Sequence, residues 1–236
     1  MNNEERDQQL YRYPDSNVLR NKLDLRDGAT LNRTEARFVE IRSREGIPSG
    51  NFDLAHLSSI HRQLFQDIYE WAGEVRQTNI GKRGASGEAG DGRFHHHSLI
   101  VAGVEDLHRR LSAQDFLKGM KPANFAQDAA EYIGDINRLH PFREGNGRTQ
   151  LQYLKQLGQR AGHHIDLIRF DRKSWIQASI EANKFETGRM AACIRNAMIE
   201  QKREQLSPRQ QALFDSLDKA RDQSSNKERG DHDRER

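Results

Sequence analysis

An apolar stripe that ends at a proline constrains the fold of this chain more than any other feature of its sequence. Within Pro122–Leu139, apolar residues recur three or four positions apart, which is the spacing of one helix face: Phe125, Ala129, Ile133 and Ile136. His140 continues the same face, and Pro141 disfavours helical backbone at the residue before it. The sequence therefore predicts a buried helix with a histidine held by packing at its C-terminal end.

The residues that follow this stripe combine several binding groups in one short turn. Residues 140–148 read HPFREGNGR and run directly into a second predicted helix. Gly145 and Gly147 let the backbone approach a ligand closely, and the N–H groups at a helix N-terminus attract an anion, most commonly phosphate. Arg148 adds a fork for phosphate oxygens, and its place near a helix N-terminus is unfavourable unless an anion is bound. The turn is therefore predicted to bind phosphate.

Two further side chains of this turn fit a reaction at phosphorus. His140 can be an unprotonated base near neutral pH. Glu144 would repel a phosphate unless Mg²⁺ lay between them, and Mg²⁺ prefers carboxylate together with phosphate oxygens and water. Taken singly, a histidine at a helix end is usually structural and a GNG turn is usually only a loop. Their occurrence in contiguous sequence instead favours a site that transfers a phosphorus-centred group.

The rest of the chain predicts an all-α protein with one small β flap. Helical spacing recurs on both sides of the motif, while residues 74–98 are glycine-rich and have strand character at both ends, which is typical of an exposed hairpin. Residues 1–12 are polar and are expected to be flexible. Residues 13–206 are expected to form one folded domain, and residues 207–236 a charged tail, partly helical and then disordered.

Composition argues against nucleic-acid binding, disulfide bonding and insertion into a membrane. The 35 acidic residues nearly balance the 38 lysines and arginines, so the net charge of +3 does not indicate direct nucleic-acid binding. The single Cys193 excludes an intramolecular disulfide. No stretch approaches the roughly 18 to 20 apolar residues of a membrane span, and the polar N-terminus has no signal core. We therefore expect a cytoplasmic protein, or one secreted without an N-terminal signal.

Residues 140–148 match the first nine positions of the Fic signature, HPFx[D/E]GNGRxxR, and the chain resembles that family over about residues 10–200. The flanking segments NKLDLRDGATLNRTEARFVEIR and FDLAHLSSIHRQLFQDIYEWAGEVR agree with the resemblance, as does the glycine-rich flap. The chain is similar to Fic toxins of bacterial toxin–antitoxin pairs and to related secreted effectors. The resemblance implies a Fic-domain helical bundle with a small β-hairpin flap over the active site.

By this resemblance the protein is an adenylyltransferase that transfers AMP from ATP to a Ser, Thr or Tyr hydroxyl of a target protein. His140 would deprotonate that hydroxyl, and Glu144 would hold Mg²⁺ between the α- and β-phosphates. The flap near residues 76–98 would pair with an extended segment of the target. Six residues would form the nucleotide-binding loop: Phe142, Arg143, Gly145, Asn146, Gly147 and Arg148. Phe142 would anchor the loop in the core. Asn146, Gly147 and Arg148 would form the anion hole. The related Doc-type kinases carry a lysine at the position of Gly147.

One position departs from the signature, because its last arginine falls at Leu151. In the family that arginine orients the γ-phosphate and is held by an inhibitory glutamate. Its loss leaves two alternatives open: transfer of another phosphate-containing group, such as UMP or phosphocholine, or a weakly active nucleotide-binding member. Leu151 could equally be a core residue, with Gln152 or Lys155 partly replacing the arginine. The inhibitory motif [S/T]xxxE[G/N] does not occur in the sequence, so either a separate small antitoxin supplies it as a partner or the enzyme is not regulated in that way.

Overall fold

The computed structural model describes residues 1–81 and 94–199. Eight α-helices occur in these ranges: α1 (Asn3–Tyr11), α2 (Gly28–Glu45), α3 (Leu54–Phe65), α4 (Ile100–Ala113), α5 (Pro122–Leu139), α6 (Asn146–Ala161), α7 (Arg172–Ala182) and α8 (Gly188–Ala197). Two short strands, β1 (His164–Ile165) and β2 (Met198–Ile199), pair antiparallel with His164 opposite Ile199. Short 3-10 turns occupy His97–Leu99, Asp115–Leu117 and Leu167–Arg169. The prediction of an all-α protein is confirmed.

The central helix of the bundle is α5, which packs against α4, α6, α7 and α8. Its predicted apolar stripe is confirmed, since each of four side chains is at most 1% exposed: Phe125, Ala129, Ile133 and Ile136. Pro122 occupies the first turn, where its missing N–H removes no helical hydrogen bond. Truncating a side chain buried in this way, such as Ile133, typically costs about 2–5 kcal/mol. The core therefore fixes the helix whose end carries His140.

The N-terminal residues expected to be flexible instead form a helix, α1. Asn2 and Glu5 make a capping box, in which each side chain accepts a hydrogen bond from the other residue's main-chain N–H. Asp7 is 2% exposed and accepts two hydrogen bonds from Arg143, 136 positions later in the chain. The helix has no broad apolar stripe, so the local sequence did not predict that it packs on the domain. It is held instead by an ion pair with a residue far away in the sequence.

About half of the hairpin flap predicted at residues 74–98, namely residues 82–93, lies outside the described residues. Of its flanks, residues 75–80 and 94–96 have no regular secondary structure, and a 3-10 turn begins at His97. The two-stranded sheet in the described ranges is a different feature, because it is formed by the segment after α6 and the segment after α8.

The predicted end of the folded domain at residue 206 and the tail at 207–236 also lie outside the described residues. Among the helices that the structure describes, none has both the length and the apolar character needed to cross a membrane.

Candidate active site

His140 caps the C-terminus of α5 in a left-handed conformation, with φ 45° and ψ 65°. Its main-chain N–H still donates to the carbonyl of Ile136 at 2.9 Å, which closes the last helical turn. The residue is 5% exposed, and its ring stacks on Phe94 with ring centroids 3.6 Å apart. The ring Nδ1 lies 3.2 Å from the carbonyl oxygen of Asn137. In the neutral ring Nδ1 therefore carries the hydrogen, and Nε2 is the basic nitrogen.

Asn146 closes the loop that follows His140. Its side-chain Oδ1 accepts a hydrogen bond from the N–H of Phe142 at 2.9 Å, and its Nδ2 donates to the carbonyl of Phe142 at 2.7 Å. Phe142 is 1% exposed and its ring stacks on His61 at 4.0 Å. The side chain of Asn146 thus holds the loop in shape, so any contribution to an anion hole would come from its main-chain N–H.

His61, on α3, supports the same loop from outside the motif. Its Nε2–H donates to the main-chain oxygen of Glu144 at 3.0 Å, and its Nδ1 accepts from the N–H of Gly73 at 2.7 Å. Burial lowers the pKa of His61 to about 3, so the ring stays neutral and keeps this tautomer. The motif gave no sign of His61, because it lies 83 positions before Glu144 in the chain.

The two glycines of the loop have different surroundings. Gly145 has φ 80°, and a Cβ added there would lie 2.3 Å from the ring of Phe65. A side chain at this position is excluded by both backbone conformation and packing. Gly147 lies in the first turn of α6, and an added Cβ would meet no atom of the described residues within 4 Å. Open space therefore lies beside the helix N-terminus, where an anion would be attracted.

Arg148 is held by a carboxylate that the sequence analysis did not single out. Its guanidinium forms an ion pair with Glu35 on α2 and lies 4.7 Å from the centre of the Phe65 ring. The side chain of Glu35 is only 6% exposed and also accepts a hydrogen bond from the Tyr69 hydroxyl. Burial and the nearby Glu35 charge raise the pKa of Tyr69, so its hydroxyl remains a donor. One signal was available: Glu35 occupies the buried face of α2, between Leu31 and Val39.

Glu144 presents its carboxylate to solvent at the edge of the loop, with 47% of the side chain exposed. Its Oε1 accepts a hydrogen bond from the N–H of Gly145 at 2.9 Å and lies 3.7 Å from a terminal nitrogen of Arg148. Because this carboxylate is already exposed to solvent, it can bind a cation without any rearrangement of the core.

Arg143, expected to bind nucleotide, is instead directed at α1. Its Nε and Nη2 donate to the two carboxylate oxygens of Asp7 at 2.7 and 2.9 Å, and the side chain is 13% exposed. Asp7 also accepts from the hydroxyl of Thr78 and pairs with Arg12. The geometry therefore assigns Arg143 to holding α1 against the loop.

Leu151, the position of the missing arginine, packs partly buried against the main core, next to the fully buried Leu154 and Leu157. The side-chain nitrogen of Gln152 lies 3.5 Å from the hydroxyl oxygen of Ser43 on α2. The core interpretation of Leu151 is thus supported by its packing, while its partial exposure leaves it near the surface of α6.

The site can now be compared with known proteins. The model of the Fic/DOC family matches residues 51–157. The protein adenylyltransferase VbhT of Bartonella schoenbuchensis is 39% identical over 194 residues, which are 80% of this chain and 39% of VbhT. The probable protein adenylyltransferase y4lH of Sinorhizobium fredii is 36% identical over 184 residues, which are 78% of this chain and 92% of y4lH. This chain therefore spans well under half of VbhT and nearly all of y4lH.

Solved structures share the same architecture. The effector BepC of Bartonella tribocorum, with bound AMPPNP, superposes with a TM-score of 0.72 at 30% identity, covering 82% of this chain and 98% of that one. An N-terminal Fic domain from Bartonella quintana, with bound ADP, superposes with a TM-score of 0.73 at 31% identity, covering 82% and 96%. The motif loop and the helical bundle are shared with these proteins, and y4lH is matched over almost its full length. This chain therefore belongs to the Fic/DOC family.

Proposed function

We propose that this protein is a protein adenylyltransferase, which transfers AMP from ATP to a Ser, Thr or Tyr hydroxyl of a target protein. The observation that carries the proposal is the position of His140, a buried histidine with Nε2 as its basic nitrogen, beside the glycine loop at the N-terminus of α6. Relatives named protein adenylyltransferase, at 32–39% identity, support the same activity.

The base would act on the attacking hydroxyl. As the hydroxyl oxygen forms its bond to the α-phosphorus of ATP, its proton passes to Nε2 of His140. The bond from the α-phosphorus to the bridging oxygen breaks, and pyrophosphate leaves with the electron pair. Because Nδ1–H is held by the carbonyl of Asn137, the ring is oriented before the substrate arrives.

The negative charge of the nucleotide phosphates would be stabilised by groups at the N-terminus of α6. The main-chain N–H groups of Asn146 and Gly147 and the guanidinium of Arg148 lie in its first turn. The open space beside Gly147 lets phosphate oxygens approach the backbone. A glycine at this position also favours AMP transfer over the kinase chemistry of Doc-type relatives, which carry a lysine there.

The donor set of the site fits Mg²⁺ bound jointly with the nucleotide. Among the described residues no three His, Cys, Asp or Glu side chains form a metal-binding group. Mg²⁺ is commonly held by one or two carboxylates together with substrate phosphates and water, and the exposed Glu144 supplies one such carboxylate. The ion would neutralise charge on the phosphates and on the leaving pyrophosphate. In a Mg²⁺ titration, Glu144→Gln should therefore require a higher concentration for half-maximal rate, while an unchanged titration would contradict this role.

The partners follow from the activity. The substrate is another protein, and a separate small antitoxin remains a proposed regulator, since the inhibitory motif is absent from the sequence. BepC is named a VirB-translocated effector. This supports the proposal that the protein is secreted as an effector without an N-terminal signal, as an alternative to action in the cytoplasm of the cell that makes it.

The deciding experiment uses ATP labelled at the α- or at the γ-phosphate, with Mg²⁺ and cell lysate. Label should enter a lysate protein from the α-position only, because a kinase would transfer the γ-phosphate instead. His140→Ala should lower the rate by about 10² to 10⁴, the usual contribution of a general base. UTP and CTP labelled at the α-position run in parallel, and preferential transfer from either would replace ATP as the donor. No labelling from any of the three would refute the proposed function.

A further inference from the structure

Arg76 has an environment that neither the motif nor the proposed chemistry explains. It is the largest side chain that the described part of the chain buries completely, with 1% of its surface exposed. Burial lowers its pKa to about 10, so the guanidinium is still charged at neutral pH. A buried charge is unfavourable unless its hydrogen-bonding groups are satisfied, so its partners indicate what it stabilises.

The guanidinium donates to four main-chain carbonyl oxygens. Two of them belong to the end of α5: Nε donates to His140 at 2.7 Å, and Nη2 donates to Leu139 at 3.1 Å. Two belong to the segments on either side of residues 82–93: Nη1 donates to Thr78 at 2.6 Å, and Nη2 donates to His95 at 2.6 Å. The planar fork of an arginine can join several acceptors in fixed geometry, which a point-charge ammonium cannot.

The hydrogen bonds of Arg76 can fix the imidazole of His140 in two ways, through the backbone of His140 and through the ring of Phe94. The carbonyl of His140 is one acceptor, and its direction depends on the left-handed backbone of that residue. The carbonyl of His95 is another, and the neighbouring Phe94 stacks on the His140 ring with an interplanar angle of 12°. A non-glycine residue in left-handed conformation is sparsely populated unless surrounding contacts hold it there.

We propose that Arg76 is a positioning residue for the transfer reaction, which fixes the backbone of His140 and the packing of Phe94 against its ring through main-chain carbonyls. The proposal rests on His140 being the base of the proposed function. Arg76 touches neither nucleotide nor hydroxyl in this role. It orients the base, so its loss should affect the chemical step more than the binding of ATP.

The test uses Arg76→Lys and Arg76→Gln, with Arg138→Lys as the matched control. Lysine keeps the charge without the fork, and glutamine removes the charge while keeping two donors. Arg138 is also a buried arginine near the end of α5, but its guanidinium bonds Asp135 and the carbonyl of Ala182. Both Arg76 variants should keep a cooperative melt and a KM for ATP within about twofold, while kcat falls by about tenfold or more, since small misplacements of a catalytic group reduce rates strongly. Arg138→Lys should leave kcat unchanged.

A second readout does not depend on transfer activity. In protein labelled with ¹⁵N-histidine, the ring signals of His140, identified by their loss in His140→Gln, should change their shift and titration in the Arg76 variants but not in Arg138→Lys. If the wild type transfers no nucleotide, the proposed function fails while this spectrum still tests the contact. Unchanged His140 signals, or a kcat within twofold of wild type in both folded variants, would overturn the proposal. Loss of the cooperative melt in both variants would overturn it too, because Arg76 would then be a requirement of folding as a whole.

Discussion

Arg148 at the start of α6 is ion-paired with Glu35, a buried carboxylate that lies 113 positions earlier in the chain. The same carboxylate accepts a hydrogen bond from Tyr69, so its position is fixed from two sides. An arginine that would otherwise sample many rotamers beside a helix N-terminus is therefore held over the ring of Phe65. The fork proposed to meet a phosphate is oriented before the nucleotide binds.

Glu35→Gln should release Arg148 and raise the KM for ATP. Tyr69 and Arg148 donate to different oxygens of Glu35, and glutamine replaces one of these oxygens by a donor nitrogen and removes the charge. We expect an increase of about tenfold, equivalent to about 1.4 kcal/mol, near the lower end of the roughly 1.5–3 kcal/mol that a hydrogen bond to a charged group contributes. Steady-state kinetics over an ATP titration measures it. Glu40→Gln is the control, since Glu40 is on the same helix in a surface pair with Arg44. A lower KM in Glu35→Gln would show that Glu35 competes with the nucleotide for Arg148.

Asp7 should make the attachment of α1 depend on pH. Burial by itself would raise the pKa of Asp7, but hydrogen bonds and charge from Arg143, with smaller effects of Thr78 and Arg12, outweigh it and hold this pKa below 3.8. A carboxyl with a lowered folded-state pKa contributes stability that is present above its unfolded pKa and is lost as the pH falls through its folded pKa.

Asp7→Asn should therefore lower the free energy of unfolding at pH 7 by about 3 kcal/mol, the usual effect of removing one partner of a buried ion pair. The melting temperatures of the variant and the wild type, measured from pH 7 to pH 3, should begin to converge below about pH 4, as the pH falls from the unfolded pKa of Asp7 towards its lower folded pKa. Asp106→Asn, which breaks surface pairs with Arg109 and Arg110, is the control and should melt at nearly the wild-type temperature at every pH. A gap between Asp7→Asn and the wild type that stays constant down to pH 3 would contradict the titration of Asp7.

The two glycines of the motif should separate folding from binding. Gly145→Ala combines φ 80° with a contact of 2.3 Å to the Phe65 ring, so it should destabilise the fold by about 3 kcal/mol or more. The methyl group of Gly147→Ala would meet no atom of residues 1–81 or 94–199, and alanine is favoured in a helix by up to about 1 kcal/mol, so the melting temperature should not fall. This methyl group would nevertheless occupy the space through which phosphate reaches the backbone. We expect a raised KM for ATP in Gly147→Ala, and normal kinetics in that variant would remove this space from the binding site.

What the sequence predicts well is local, and what it misses depends on distant partners. The stripe from Phe125 to Ile136 and the end of α5 at His140 follow from periodicity and one proline, and the structure confirms them. The supports of the loop could not be found in the same way, because His61 and Arg76 contact it across 83 and 64 positions of sequence. Arg143 shows a related limit, since its place in the motif predicts a contact with nucleotide, while its side chain in the structure pairs with the buried Asp7 of α1.

Leu151→Arg should decide what the departure from the family signature means. Positions 148 and 151 are three apart on α6, so their side chains are neighbours on one helix face. Leu151 is only partly buried, and a longer side chain can extend towards solvent without placing its charge in the core. An arginine there could hold the terminal phosphate of ATP by a bidentate contact and align the α-phosphate for attack.

If ATP is the donor and Leu151 attenuates the enzyme, Leu151→Arg should raise the rate of AMP transfer by about tenfold, which is about 1.4 kcal/mol of barrier. Leu151→Lys is the matched control, because it adds the charge without the fork and should give a smaller gain. If the donor lacks a γ-phosphate, the arginine should lower the rate with that donor and give no gain with ATP. If Leu151 contributes only to the core, both variants should melt at lower temperature with no gain in rate. Rates with ATP and with a diphosphate donor, together with melting temperatures, distinguish these outcomes. We expect the first, since Leu151 is only partly buried and lies three positions from Arg148 on α6.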